Sequence, residues 1–354
     1  MQARCTRPLR AWYSRQVNPE TGKKIVVFDS KDALIPEDPF NIPCGRCIGC
    51  KYEKSRQWAI RCYHESKLHD QNCFLTLTFN NENLSKREEP FSVKKRDFQL
   101  FMKKLRKQAV KEEQESDGKL TRRKLGYFHC GEYGEENQRP HYHACIFNYD
   151  FPDKQLFTTS GGNRLYVSEI LNGTKIMEDS FPQLKNRINT PSLGKPIKGL
   201  WPYGSAIIGE VTFQSASYTA RYIMKKAYGQ QLMIVDEKTG LTPLERYDEY
   251  GQEIVVEPEY CTMSRNPAIG LGFLEKYKGD MYPKDYMHVN GVKVRPPKYY
   301  DRKIEEKDPF EYQAIKNARA KHKPEETTVR REQQLDELHI EQNKRFIRDM
   351  QRRK

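Results

Sequence analysis

No stretch of the 354-residue chain approaches 18 uninterrupted apolar residues, which excludes a membrane-spanning helix. The opening residues Met1–Arg7 lead into no apolar run, so no secretory signal is expected. No Gly-x-x-x-x-Gly-Lys-Ser/Thr string occurs, which leaves no loop of the kind that cradles nucleotide phosphates in built-in ATPases. No segment repeats at a fixed period, which excludes solenoids and propellers. The nine cysteines are an odd number and three fall within the seven residues Cys44–Cys50. That clustering suits a metal site in a reducing compartment better than a disulfide framework.

Charge is abundant instead. Lys and Arg number 62 against 48 Asp and Glu, a formal net charge of +14, and there are 21 tyrosines. An excess of this size favours a polyanionic partner, most often nucleic acid. The expected compartment is the cytosol.

The apolar periodicity sets out the elements. Residues 51–68 read as a helix. Cys73 to Phe79 alternates strictly, with Leu75, Leu77 and Phe79 on one face and Phe74, Thr76 and Thr78 on the other, so it is a strand. Phe98, Phe101, Met102 and Leu105 stand at i, i+3, i+4 and i+7 of an amphipathic helix over 93–108. Residues 126–133 and 139–148 read as two strands joined by a polar turn. Residues 149–200 read as a loop-rich insertion. A strand over 205–211 precedes a helix over 214–228, with Gly229 as end cap. Residues 230–300 are mixed, and from Asp301 the charge is nearly continuous, as in a helix or disordered tail. The fold class expected is α+β, an antiparallel sheet with flanking helices gathered on one side. The expected organisation is a Cys-rich segment and helix over 1–70, a core over 71–230, an extension over 231–300 and a charged tail over 301–354.

Two histidines, His141 and His143, stand at i and i+2 of a strand. They share a face, about 6.7 Å apart along the chain, and can share one divalent cation. If Glu132 lies opposite His141, then Cys130 lies opposite His143 and Phe128 opposite Cys145. That face is polar at its turn end and apolar beyond it. Two imidazoles and one carboxylate leave open positions for phosphate oxygens and water, and suit Mg²⁺ or Mn²⁺.

On the helix at 214–228, Ala216, Ala220, Ile223, Met224 and Ala227 form one side. Tyr218, Tyr222 and Lys225 fall within roughly 60° of one another on the opposite side, the tyrosines about 6 Å apart along the axis. A phenol with an ordinary pKa of about 10 attacks a phosphodiester once a cation polarises the phosphate and a lysine offsets charge. Cys44, Cys47 and Cys50 supply three thiolates of a tetrahedral Zn²⁺ site. Cys5 is the first candidate for the fourth ligand, with Cys62 or His64 as substitutes.

In their order, Phe74-Leu-Thr-Leu-Thr-Phe79, His141-Tyr-His143 and Tyr218-x-x-x-Tyr222-x-x-Lys225 resemble the three motifs of the HUH endonucleases, the rolling-circle replication initiators. The paired tyrosines are similar to the gene A type of small single-stranded DNA bacteriophages. The strings Pro43-Cys-Gly-Arg-Cys-Ile-Gly-Cys50, His129-Cys-Gly-Glu-Tyr-Gly134, Ile208-Gly-Glu-Val211 and Tyr222-Ile-Met-Lys-Lys226 are similar to the initiators of the Gokushovirus branch of the Microviridae. The likeness spans about residues 40–300. It implies Glu132, His141 and His143 as metal ligands, Tyr218 and Tyr222 as nucleophiles and Lys225 as their assistant. It implies nicking of origin DNA, a 5′-phosphotyrosine intermediate and rejoining of the displaced single strand. It also implies a borrowed host helicase and DNA polymerase, and action in the cytoplasm of a bacterial host. Two other readings fit parts of the pattern: a non-catalytic protein that binds single-stranded nucleic acid, and a relaxase or transposase of the same superfamily.

Overall fold

The structure, a computed structural model, describes residues 5–20, 22–117, 124–134, 137–184, 196–225, 233–236, 240–247, 251–282 and 284–321, together with 334, 337, 338 and 341. The chain divides into two compact units, Met1–Lys54 with Lys316–Gln351, and Ser55–Ile315 with Arg352–Lys354. The end cap expected at Gly229 lies outside the described residues, as does most of the tail after 321. No helix among the described residues is long and apolar enough to cross a membrane.

In the first unit, β1 (Leu9–Val17) pairs antiparallel with β2 (Lys24–Val27) on one side and β3 (Phe40–Ile42) on the other. These strands carry little alternation, and periodicity alone does not reveal them. The helix α1 (Ile48–Ser66) starts in this unit, and its later residues belong to the second.

The second unit is built on a seven-stranded sheet. In chain order its elements are β4 (Asn72–Leu77), α2 (Asn81–Ser85), α3 (Lys95–Asp117), β5 (Gly126–Tyr133), β6 (Pro140–Phe147), β7 (Gln155–Ser160) and β8 (Asn163–Val167). There follow α4 (Glu169–Asn172), α5 (Thr174–Ser180), β9 (Ala206–Gly209), α6 (Phe213–Lys225), and the hairpin β10 (Glu245–Tyr247) and β11 (Glu253–Val255). The last are β12 (Tyr260–Met263), α7 (Leu271–Met281), β13 (Met287–Val289), β14 (Val292–Val294), α8 (Lys298–Lys307) and α9 (Pro309–Ala320). The sheet order is β12-β5-β6-β4-β9-β8-β7, and each pairing is antiparallel.

The α+β class holds, but helices cover both faces of the sheet, not one. The period-2 alternation explains why, because both parities are apolar over much of the strands' length. Cys73, Leu75, Leu77, Tyr142, Ala144, Ile146 and Ile208 form one core with Phe98, Phe101, Met102 and Leu105 of α3. On the other face Phe128, Cys145 and Phe147 pack with Ala59 and Cys62 of α1 and Ala216 and Ala220 of α6. The small side chains of α6 let its backbone come close to the sheet. Truncating a fully buried leucine such as Leu105 costs roughly 2–5 kcal/mol.

The stretch 149–200, expected as loops, contributes the hairpin β7–β8, which joins the sheet where Tyr166 pairs with Ile208. It also holds a small core of Val167, Ile176, Met177, Phe181 and Leu184. Much of what orders it is polar. The buried Asn172 amide accepts from the Ala206 N–H (2.8 Å) and donates to its carbonyl (3.0 Å), clamping the start of β9.

At the far end of α1, His64 stacks on Phe273 (3.8 Å between centroids) and hydrogen-bonds Tyr300 Oη through Nδ1 (2.9 Å). Burial pushes its pKa down to about 4. Between that value and the ordinary 6.5, unfolded His64 binds a proton and folded His64 does not, so stability falls as pH drops through this window. The contribution lost is on the order of 3 kcal/mol. Urea midpoints measured from pH 7 to 4 are expected to fall less steeply for His64→Gln than for the wild type; parallel curves would contradict the assignment.

Candidate metal and nucleotidyl-transfer site

The β5–β6 hairpin decides where the site lies. Its register pairs Glu132 with His141, Cys130 with His143 and Phe128 with Cys145, as the spacing of polar and apolar residues predicts. The neighbouring pairing of β4 with β6 sets Thr76 directly opposite His143. Directly opposed residues of an antiparallel pair project to the same side. Glu132, His141, His143 and Thr76 therefore share one patch of one face.

Their polar atoms converge. His141 Nε2 lies 2.7 Å from Glu132 Oε1, and His143 Nε2 lies 2.8 Å from the same oxygen. The other ring nitrogens are engaged behind them. His141 Nδ1 meets the Arg139 carbonyl at 3.1 Å, and His143 Nδ1 meets Thr76 Oγ1 at 3.0 Å. A carbonyl only accepts, so His141 Nδ1 carries the proton and, in the neutral ring, Nε2 presents a lone pair. A lone pair facing a carboxylate oxygen at 2.7 Å calls for a positive charge, on the ring or between the two. Phe74 stacks along His143 (5.6 Å, 10°) and fixes its plane.

Glu132 is 1% exposed. Burial works to raise its pKa, but the charge of His143 and the hydrogen bonds from both histidines outweigh it and hold the carboxyl down at about 2. Its second oxygen, Oε2, is buried and has no hydrogen-bond partner among the described residues. One ligand atom from each of Glu132, His141 and His143 lies within 4.8 Å of the others. A buried anion with an unsatisfied oxygen between two imidazole nitrogens is a donor set that could hold a divalent ion.

The helix α6 brings Tyr218 to this point. Its hydroxyl donates to Glu132 Oε1 (3.2 Å), and its ring meets His143 edge-on (4.8 Å). Burial, and next the Glu132 charge, push the phenol's pKa well above its usual value. Arg221, one turn further on, places its guanidinium 5.1 Å from the centre of the Tyr218 ring. Tyr222 and Lys225 fall within α6, but their side chains lie outside the described residues.

The second cluster is Cys5, Cys44, Cys47 and Cys50, whose sulfurs all lie within 4.8 Å of one another. Cys5 takes the fourth position. The two substitutes sit elsewhere, Cys62 in the core beneath α6 and His64 against Tyr300. Backbone N–H groups of Cys44 and Cys47 donate to Cys5 Sγ and Cys44 Sγ, each at 3.3 Å, and that of Cys50 to Cys47 Sγ at 3.5 Å. Burial works to raise the Cys47 thiol, but hydrogen bonds from Cys50 and Thr6 outweigh it and bring it to about 6. This group too could hold a metal ion.

Residues 72–227, from β4 to the end of α6, match the family model of the replication-associated protein ORF2. The chain is 31% identical over 340 residues to the replication-associated protein VP4 of Bdellovibrio phage phiMH2K, covering 94% of this chain and 88% of that protein. The chain belongs to the phage replication-associated protein family. It is also 30% identical over 291 residues to the replication-associated protein ORF2 of Spiroplasma virus 4, covering 79% of this chain and 73% of that one. A shorter likeness, 26% over 188 residues, joins it to the replication-associated protein ORF4 of Chlamydia phage 1, covering 53% of this chain and 39% of that one. No solved structure matches.

Thr76, Phe74 and Arg221 belong to the site but were not singled out for it from the sequence. For Thr76 the only signal is its place on the polar parity of β4, which becomes informative once β4 is known to lie beside β6. For Arg221 the signal is its helical spacing from Tyr218. Thr76→Val keeps the shape of the strand but removes the partner of His143 Nδ1. Its affinity for Mn²⁺, measured by titration calorimetry, is expected to drop roughly 10- to 100-fold with the melting temperature little changed. Unaltered affinity would show that Thr76 does not orient the ring.

Proposed function

We propose that the protein initiates rolling-circle replication, nicking one strand of origin DNA with a tyrosine and later rejoining the displaced single strand. The observation that carries this reading is the Tyr218 hydroxyl against the carboxylate of a Glu132–His141–His143 cluster on the sheet. Membership of a family of replication-associated phage proteins supports it.

In this reading Glu132, His141 and His143 hold Mg²⁺ or Mn²⁺. Bound there, the ion draws negative charge from the scissile phosphate. Tyr218 Oη attacks phosphorus, its proton leaving toward a base or water. The new Oη–P bond forms as the P–O3′ bond breaks. The 5′ side stays on the tyrosine, and the freed 3′-OH primes synthesis. One phosphoester replaces another, so rejoining needs no nucleotide. Tyr222, four residues on, makes the second attack on the regenerated origin, and Lys225 offsets charge at the phosphate. Tyr218 is buried and its phenol is raised, so the phenolate forms only where positive charge faces it. The host supplies the helicase and the polymerase.

A denaturing gel of the protein with its own phage's single-stranded and supercoiled genome and Mn²⁺ tests this reading. Wild type is expected to give a metal-dependent covalent adduct. The Tyr218→Phe, Tyr222→Phe double variant is expected to give none, and His141→Ala is expected to lose at least about 100-fold in rate. DNA binding without any adduct on a confirmed origin would favour a non-catalytic binding protein.

We further propose Zn²⁺ at the four cysteines. Four Zn–S bonds of about 2.3 Å in a tetrahedron set sulfurs roughly 3.8 Å apart. The Cys5 and Cys47 sulfurs lie 3.8 Å apart, well beyond disulfide length. Elemental analysis of freshly reduced protein is expected to find about one equivalent of zinc, lost in Cys47→Ser. Metal-free native protein would contradict the site.

A further inference from the structure

We propose that the open face of the N-terminal sheet binds single-stranded DNA by base stacking, and that zinc at the four cysteines holds this sheet closed. The proposal rests on the DNA-processing reading above for its ligand, and concerns residues remote in sequence from the β5–β6 hairpin and α6.

Register separates the two faces of the sheet. Tyr13 pairs with Val26, Ala11 with Phe40 and Leu9 with Ile42, so these side chains share one side. The next pair, Trp12 with Val27, projects to the other. That second side is satisfied locally, since Trp12 is buried and its indole N–H donates to the Pro36 carbonyl (2.8 Å). The first side is open. Tyr13 is 48% exposed and Phe28, just past β2, is 60% exposed. The Tyr13 ring stacks on Phe40 at 4.5 Å and 30°, so it is held in one plane before any ligand arrives. Lys24 sets its ammonium 5.7 Å from the Tyr13 ring.

Charge selects the occupant. The three strands carry Arg10, Arg15 and Lys24 and no acidic residue. An apolar protein surface or a second copy of this basic sheet would have to bury those cations. A single strand offers phosphates to them and bases to the rings. Base–aromatic stacking tolerates any sequence, since every base has a π-face. Paired bases in a duplex keep their faces covered, which disfavours intact double strands.

The cysteines sit where they can fix this face. The Leu9–Ile42 pair brings the chain before β1 alongside the chain after β3. Cys5 lies on the first segment, and Cys44, Cys47 and Cys50 on the second and on the start of α1. One ion bound by all four would tie these segments together at the end of the sheet. Metal binding to thiolates of a small unit is in part folding free energy.

The test uses the full-length chain and a fluorescein-labelled oligo-dT strand, read by anisotropy at fixed salt. Tyr13→Ala with Phe28→Ala is expected to raise Kd about tenfold or more, with zinc content and melting temperature unchanged. Tyr13→Phe is expected to stay within about twofold of wild type, because stacking needs the ring and not the hydroxyl. Lys24→Glu, a surface change that leaves the rings in place, is expected to weaken binding and flatten its salt dependence. Cys47→Ser is expected to lose both zinc and affinity for the strand. Unchanged affinity in the double alanine variant overturns the proposal. Loss of self-association in that variant by sedimentation velocity, with DNA binding intact, also overturns it and gives the face to a second copy. Tyr218→Phe is titrated in parallel and is expected to keep its affinity. Absence of an adduct from wild type would count against nicking and leave the anisotropy result to judge the sheet.

Discussion

A buried carboxylate facing two imidazoles is the constraint on which the second unit turns. Removing an ionised carboxylate from water costs several kcal/mol unless positive charge and hydrogen bonds answer it. Glu132 has both histidines and Tyr218 on one oxygen and none of the described residues on the other. Replacing these groups with apolar ones of similar volume would give a better-packed sheet, so the arrangement points to chemistry and away from stability.

The surrounding fold supplies rigidity to this cluster. Three adjacent strands contribute Glu132, the histidines and Thr76, so their positions follow from backbone pairing and not from loops. Gly131, next to Glu132, lies under the Tyr260 ring, where a Cβ would come within 2.8 Å of Cε1. Glycine there lets β12 close against β5 beside the site. On the opposite face His129 stacks on Phe98 (3.6 Å), tying the strand that carries Glu132 to α3. The small residues of α6 lower its backbone onto the sheet, and Tyr218 reaches the carboxylate as a consequence.

The parts legible in the sequence were those governed by short-range pattern. Strict alternation marks β4, the i, i+3, i+4, i+7 spacing marks α3, and His141-Tyr-His143 with Glu132 gives the hairpin register, because a one-residue slip would send the carboxylate to the opposite face. What was not legible depends on distant pairing or polar packing. β12 is four residues long, and its partner β5 ends more than a hundred residues earlier in the chain. The segment containing Asn172 looks like loop because an amide takes the part usually played by strand pairing. β1 to β3 escape notice because one side of their sheet is exposed and its apolar residues resemble scattered surface ones. Helices on both faces follow from apolar residues at both parities, which a one-sided reading of the strands passes over. Cys5 is far from the other three thiols in sequence, and the pairing of β1 with β3 is what brings it to them.

The most direct test of the central claim is pulsed electron paramagnetic resonance on the protein loaded with one equivalent of Mn²⁺. Coordination by His141 and His143 predicts nitrogen modulation from two directly bound imidazoles, falling to one in His143→Ala and weakened in binding, without loss of either nitrogen, in Glu132→Gln. A spectrum with no coupled nitrogen, from manganese held only by water and carboxylates, would contradict it.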